Sequence, residues 1–317
     1  MKTTIATRFP RHILLAAEKG YNAIPGAMAA PINSWSEFKQ ALRQLKEMKD
    51  EDDRAVAEGK TPPNGFETVI LDTADILYSY CEKYICANAK RADGGFGVDS
   101  VGEIPYGKGY GLVAKEFDDS LRSIVQMDYG LVIISHATDK TFKDETGQEY
   151  NRIVPTLDKR ANNIVSRMCD IIAYSRTVTT ADGKSATRLF MRGTPRYEAG
   201  SRFKYTPDSI NFTYKDLVEA IGEAIDKQAA EEGETLFTES RNNMYNTSTE
   251  LDFDALMTEF NTLVDTLMAT EDKAKMSAKI KSVIERHLGH GNTVKDMSIE
   301  QVEALSLIVS DLKALQK

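Results

Sequence analysis

Apolar residues cluster at 13–17, 68–71, 131–134 and 170–174 without the polar–apolar alternation of a half-exposed strand. Strands covered on both faces read this way, so the four runs predict buried parallel strands. Between them the period changes. Phe38, Leu42, Leu45 and Met48 recur at spacings of three and four behind Ser34 and Ser36, a capped amphipathic helix. Residues 73–84 and 112–127 give two more helices, and such alternation of strand and helix indicates an α/β domain with a mainly parallel sheet. The Gly-rich stretch 91–111 predicts a long loop ending in Gly107-Lys108-Gly109-Tyr110-Gly111, where amides before a helix suit an anion or simply a flexible connection. After residue 174, runs at 175–179 and 186–192 flank Asp182-Gly183, which predicts a hairpin added antiparallel at the end of the sheet.

Residues 214–230 predict a helix and the polar stretch 231–250 a linker. Helical patterns then follow at 253–268, 272–288 and 298–315, with Ser298-Ile299-Glu300-Gln301 as a capping box and Leu288-Gly289 as a helix end. The expected organisation is a core over 1–230, a linker over 231–250 and a helical module over 251–317.

Composition narrows the class. The 317 residues are 41% hydrophobic and 28% charged, which is globular and not disordered. No run reaches the ~18 apolar residues of a membrane span, and the chain start lacks a signal-peptide core, so a cytoplasmic protein with no membrane partner is expected. Cys81, Cys86 and Cys169 lack zinc-site spacing and predict buried thiols. The net charge of −8 sits mostly in the tail: residues 231–317 hold 16 acids against 9 bases. That balance excludes a broad nucleic-acid-coating surface while leaving room for a local basic patch.

Candidate chemistry falls at the carboxyl ends of the predicted strands, where open α/β sheets bind ligands. Glu18 follows the first run, Asp72 closes the second and Ser135-His136 closes the third. Singly, each also reads as a helix cap or a structural histidine. An apolar strand ending in Asp-Thr is the Walker-B pattern, whose carboxylate holds Mg²⁺. Its companion phosphate loop ends in Gly-Lys-[Ser/Thr], and Lys2-Thr3-Thr4 matches the end of that motif without its glycines or preceding strand.

Taken in order, Lys2-Thr3-Thr4, Glu18-Lys19-Gly20, Trp35-Ser36-Glu37-Phe38, Val69-Ile70-Leu71-Asp72-Thr73, Tyr106-Gly107, Ile134-Ser135-His136, Pro155 with Leu157, Asp170-Ile171-Ile172 and Glu198-Ala199-Gly200-Ser201-Arg202-Phe203 mark a resemblance. Residues 1 to about 214 resemble the RecA-like, AAA-type ATP-binding proteins of bacteriophages linked to single-strand annealing and recombination. The resemblance implies an α/β fold, a RecA-like P-loop NTPase core with a mainly parallel sheet whose first strand and phosphate loop are missing, plus a small C-terminal α-helical module. It also implies a chain shortened at its N-terminus within the Walker A motif.

The resemblance implies ATP and Mg²⁺ as cofactors. Lys2 would contact the β- and γ-phosphates, with Thr4 beside it, and Thr3 and Asp72 would hold the metal. Glu18 matches the glutamate that activates the attacking water, and His136 matches the sensor position. Arg202 matches a cation that reaches a neighbouring subunit's nucleotide, although Gly200 stands where members often carry Lys.

Single-stranded DNA is the expected partner, alongside a homo-oligomer and a single-strand-binding protein. Lys184, Arg188, Arg192, Arg196, Arg202 and Lys204 lie in a stretch with Glu198 as its one acid. Arg188 and Arg192 would share a strand face that suits DNA phosphates, a neighbour's nucleotide or plain solvation. Residues 139–160 are expected as a mobile loop, either at the DNA-contacting place of RecA-like proteins, with Lys140 and Lys143 as phosphate contacts and Phe142 and Tyr150 as stacking partners, or as an ordinary surface loop whose acids balance its bases. The leading expectation is thus an ATPase in DNA recombination or annealing. Two alternatives stay open: a non-hydrolysing scaffold that binds a replication or single-strand-binding partner through its C-terminal helices, and a small-molecule kinase on the same fold. The apolar face of Val302, Leu305, Ile308, Val309 and Leu312 suits core packing within those helices first and self-association or docking second.

Overall fold

A computed structural model describes residues 2–91, 93–180, 183–232, 252–269 and 273–315. In chain order the core elements are α1 (Lys2–Ala6), β1 (His12–Ala16), β2 (Ala29–Pro31), α2 (Trp35–Ala57), β3 (Thr68–Asp72), α3 (Ala74–Asn88), α4 (Gly109–Gln126) and β4 (Gly130–Ile134). There follow β5 (Ala137–Lys143), β6 (Glu149–Pro155), α5 (Lys159–Met168), β7 (Ile171–Ile172), β8 (Tyr174–Thr179), β9 (Ser185–Phe190), β10 (Gly200–Ser201), β11 (Ser209–Asn211) and α6 (Tyr214–Glu232).

Strands β2, β1, β3 and β4 form, in that order, a parallel sheet. Its side chains alternate by face. Leu15, Val69 and Leu71 pack with Trp35, Phe38, Leu77, Phe117 and Leu121 of the helices, while Leu14, Ala16, Ile70 and Ile134 meet Ala6 of α1 on the other face. Both faces are covered, which is why the sequence shows continuous apolar runs. Each large side chain buried in this way contributes about 1.5–3 kcal/mol.

Local signals set the helices around the sheet. The Ser34 hydroxyl accepts the Glu37 amide and starts α2. The buried Trp35 indole donates to Glu116 of α4 at 2.9 Å, and Lys39 donates to the same oxygen at 2.8 Å. At Gly109 a Cβ would lie 2.3 Å from the Val101 carbonyl oxygen, so a glycine is required for α4 to begin against that turn. The glycine-rich stretch before it is thus a packed connection as well as a loop. Cys81 and Cys86 are buried free thiols and Cys169 is half-buried, and burial pushes all three thiols up.

Two expectations are corrected here. The run 170–174 does not join the parallel sheet: β7 pairs antiparallel with β10, and β8 joins β9 and β11 in a separate antiparallel sheet. The run is also half-buried at best and broken at Ala173, because an apolar run states neither its pairing partner nor how fully it will be covered. The stretch 139–160 is not a loop either. Strands β5 and β6 pair in register from Ala137–Pro155 to Lys143–Glu149. Its hydrophobic pattern is weak because most of both faces is exposed. The turn is instead set by Asp144, whose carboxylate accepts from the Thr146 and Gln148 amides, and by Gly147 at φ 84°. Of the other predicted hairpin, β8 and β9 are present but stand in their own sheet with β11 instead of at the end of the parallel sheet, and residues 181–182 lie outside the described residues.

The described residues fall into two compact units, one before and one after the stretch 233–251. Glu231 and Glu232 complete α6, and the rest of the expected linker lies outside the described residues. The second unit comprises α7 (Phe253–Met268), α8 (Lys273–Leu288) and α9 (Val302–Ala314). Phe260, Leu263, Leu267, Ile280 and Val283 pack there with Leu305, Ile308, Val309 and Leu312. The predicted capping box forms, with the Ser298 amide donating to Gln301 at 3.0 Å. The apolar face of α9 is therefore the inside of this unit, with only Val302 of that set half-buried. Among the described residues, no helix is long and apolar enough to cross a membrane.

Candidate functional site

The register of the parallel sheet builds the site. Ala16 pairs with Asp72 and Asp72 with Ile134, so β1, β3 and β4 end level with one another. The residues that follow them, Glu18, Thr73 and Ser135-His136, consequently share one edge. Helix α1 brings Lys2 and Thr3 to the same edge. The Lys2 ammonium donates to the Ser135 carbonyl at 2.6 Å, and the Thr3 hydroxyl donates to Asp72 Oδ2 at 2.6 Å. Glu18 Oε1 accepts the Thr73 hydroxyl at 3.3 Å and lies 3.1 Å from His136 Nε2. Lys2, Thr3, Glu18, Asp72 and His136 thus form one connected cluster. A cavity of about 500 Å³ opens beside Lys2, Ser135 and His136 and runs to Asn162 and Glu198, a volume in the range of small-molecule sites.

The electrostatics of the cluster centre on Asp72. Burial pushes its carboxyl above the usual carboxylate range, and the neighbouring Glu18 charge pushes the same way; the Thr3 hydroxyl, Lys2 and His136 oppose them without winning. A buried acid left short of compensation is stabilised by a cation. Thr3 and Asp72 supply one hydroxyl and one carboxylate, the few protein ligands that Mg²⁺ takes when phosphates and water complete its octahedron. Among the described residues no three His, Cys, Asp or Glu side chains are placed to hold a metal ion by themselves, so a cage made of protein alone is not offered. Mg²⁺ bound with a nucleotide therefore fits these residues. Lys2 would supply the point charge for its phosphates, while the glycine amides that wrap phosphates in a full loop motif are absent from the sequence.

Other sequence-predicted residues lie elsewhere. Thr4 is exposed on α1, and only its carbonyl is engaged, by the Thr7 hydroxyl. Arg202 pairs with Asp170 at 3.0 Å and also donates to the Arg167 carbonyl, so it takes no part in the cluster. Arg188 and Arg192 do not form a phosphate-facing strip. Strand β9 ends at Phe190, ahead of Arg192. The Arg192 guanidinium donates to the carbonyls of Ser201, Phe203, Lys204 and Thr206, and that of Arg188 to Asn211 and Ser209. Their fork-shaped donors are spent on the protein's own oxygens.

The hairpin differs. Lys140 stands opposite Arg152 and Phe142 opposite Tyr150, which places two cations and two aromatic rings on one face. The rings lie 6.0 Å apart at 30°. Like charges directly opposite one another are unfavourable unless an anion joins them. Lys143 lies on the other face and pairs with Glu149 at 3.4 Å.

Asp75 is the site residue that sequence reasoning missed. Its carboxylate accepts the Ser135 hydroxyl at 2.9 Å, the His136 amide at 3.2 Å and the Thr156 hydroxyl. In the sequence it reads as an ordinary acid in the first turn of a helix, and no local signal marks its distant partners.

Comparison with known proteins gives the family. The chain is 28% identical over 323 residues to the SPbeta prophage-derived uncharacterized protein YorG of Bacillus subtilis (strain 168), an alignment spanning 99% of this chain and 90% of the other. No solved structure matches. The AAA domain family matches residues 2–203, which include every residue of the cluster. A match over more than half of its length, with a parallel sheet beneath it, places the chain in the AAA domain family of nucleotide-binding proteins.

Proposed function

We propose that this chain is a phage ATPase of DNA recombination or single-strand annealing, which binds Mg²⁺–ATP at the carboxyl edge of the parallel sheet and single-stranded DNA on the β5–β6 hairpin. The observation that carries the reading is the meeting of Lys2, Thr3, Glu18, Asp72 and His136 at one sheet edge, from four separate segments. In this scheme Lys2 binds phosphate, Thr3 and Asp72 hold the metal, and Glu18 takes the proton of an attacking water. General-base work requires a carboxylate within one hydrogen bond of that water. His136, 3.1 Å from Glu18, orients the base. DNA is held by Lys140 and Arg152 through phosphates and by Phe142 and Tyr150 through base stacking. ATP binding orders a homo-oligomer on the strand, with Arg202 of one subunit turned to its neighbour's nucleotide once it leaves Asp170. A single-strand-binding protein is the expected partner, and the host cytoplasm is the expected location.

The scaffold alternative needs an apolar docking face on the C-terminal helices. Leu305, Ile308, Val309 and Leu312 are buried in the core of their own unit, so a docking face would have to use other side chains of these helices.

The test is turnover of Mg²⁺–ATP in the presence of oligothymidylate by the wild-type chain and by Glu18→Gln. The expected loss is about 10²–10⁴-fold in kcat, the usual worth of a positioned general base, with nucleotide affinity retained. Equal turnover in the two proteins would remove Glu18 from catalysis.

A further inference from the structure

The corner formed by Ser135 and His136 is held from four sides. Lys2 binds the Ser135 carbonyl, Glu18 meets the His136 ring, Asp75 accepts from both corner residues, and the Thr156 amide donates to the His136 carbonyl at 2.9 Å. Of these holders, Thr156 alone is joined directly to the hairpin. Strand β5 leaves at Ala137, directly after His136, and β6 returns at Pro155, directly before Thr156. Both ends of the hairpin therefore lie one residue from a hydrogen bond to Asp75, which sits in the first turn of α3 on the rigid sheet.

A carboxylate has about four lone-pair positions. Here three contacts converge on it from two segments, the hairpin's departure and its return, and each segment also bonds to the other through the Thr156 amide and the His136 carbonyl. A shift of the hairpin root must then either carry the His136 backbone with it or break a charge-assisted bond, and such bonds are the stronger ones. The His136 ring meets Glu18 at 3.1 Å, so a displacement of about one ångström decides whether that contact exists.

We propose that Asp75 is a positioning residue that ties the root of the β5–β6 hairpin to the Glu18–His136 pair, so that a polyanionic strand seated on the hairpin is sensed at the nucleotide pocket. The use made of this link rests on the function proposed above, whereas the link itself is a property of the folded chain. Coupling of this kind between two sites commonly amounts to about 5–150-fold.

The experiment separates the two. Histidine labelled with ¹³C gives four ring signals, from His12, His136, His287 and His290. Without any ligand, Asp75→Asn and Thr156→Val each should move the His136 signal and leave the other three in place, and the double variant should move it no further than the larger single change. Additive shifts, or a His136 signal unmoved by Thr156→Val, would overturn the link. Should Asp75→Asn fail to fold, the near-isosteric Thr156→Val decides alone by the same criterion. Oligothymidylate is then added as a probe: it should shift the His136 signal and raise kcat in the wild type, and Asp75→Asn should lose at least about 5-fold of that stimulation, with Asp75→Glu recovering part of it. Stimulation retained in full by Asp75→Asn also overturns the link. A wild-type chain that binds neither nucleotide nor oligothymidylate defeats the proposed function, and the ligand-free signals still judge the link.

Discussion

Two acids on the same domain, Glu116 half-buried and Asp72 buried, show opposite behaviour. Glu116, on the helical side of the sheet, is pushed up by burial, but hydrogen bonds from Lys39 and Trp35 outweigh that and hold its carboxyl below the usual range. Asp72, at the carboxyl edge, has one hydroxyl donor and a second acid nearby, and burial wins. The first is a completed structural contact. The second is left short of positive charge, the condition in which a bound cation would stabilise it. Its basic stretches divide the same way. Arg192 is consumed by four backbone carbonyls, whereas Lys140 and Arg152 face each other across a ladder beside two aromatic rings.

The largest effect should come from breaking a staple. Arg192→Ala strands several carbonyl oxygens and should destabilise the first unit by about 3 kcal/mol in denaturant unfolding, consistent with charged hydrogen bonds worth about 1.5–3 kcal/mol. A cost below about 0.5 kcal/mol would return Arg192 to the candidate DNA surface. Next, Phe142→Ala should weaken oligothymidylate binding by about 1–3 kcal/mol, the worth of one stacked base, at unchanged stability. If affinity holds and stability falls, the rings serve packing alone.

The two acids should then separate by pH. The depressed Glu116 value means that its contribution to stability is complete above the unfolded carboxylate range and is lost as pH falls through the folded value. Asp72 has the opposite sign: its raised value favours the folded state at low pH, and that contribution is lost as pH rises through it. Glu116→Gln should flatten the acid limb of the stability profile, and Asp72→Asn should raise stability at neutral pH. A matching sign in both variants would refute the contrast. The smallest effect is that of Lys140→Ala, which should reduce the slope of log affinity against log salt for single strands by about 0.7, the share of one phosphate contact.

Much of the frame was legible in the sequence. The runs at 13–17, 68–71 and 131–134 announce the parallel sheet because both of their faces are covered. From those strands the positions of Glu18, Asp72 and His136 follow, since residues just beyond parallel strands share an edge. Ser34 and Ser298 marked helix starts through their own short-range bonds. What escaped was whatever depended on long-range partners. Asp75 binds residues 60 and more positions away, and nothing beside it in the chain records this. Arg192 resembled a phosphate contact because composition counts cations and does not see the carbonyls they meet. The β5–β6 hairpin hid because exposed strands carry little hydrophobic pattern, leaving Asp144 and Gly147 as its signals.

Equilibrium titration with Mg²⁺–ATP, comparing the wild-type chain with Asp72→Ala, bears most directly on the nucleotide pocket. Magnesium-dependent binding by the wild type, weakened at least about 10-fold in the variant, is the expected result. Identical isotherms for the two proteins, with or without magnesium, would contradict a metal–nucleotide site at Asp72.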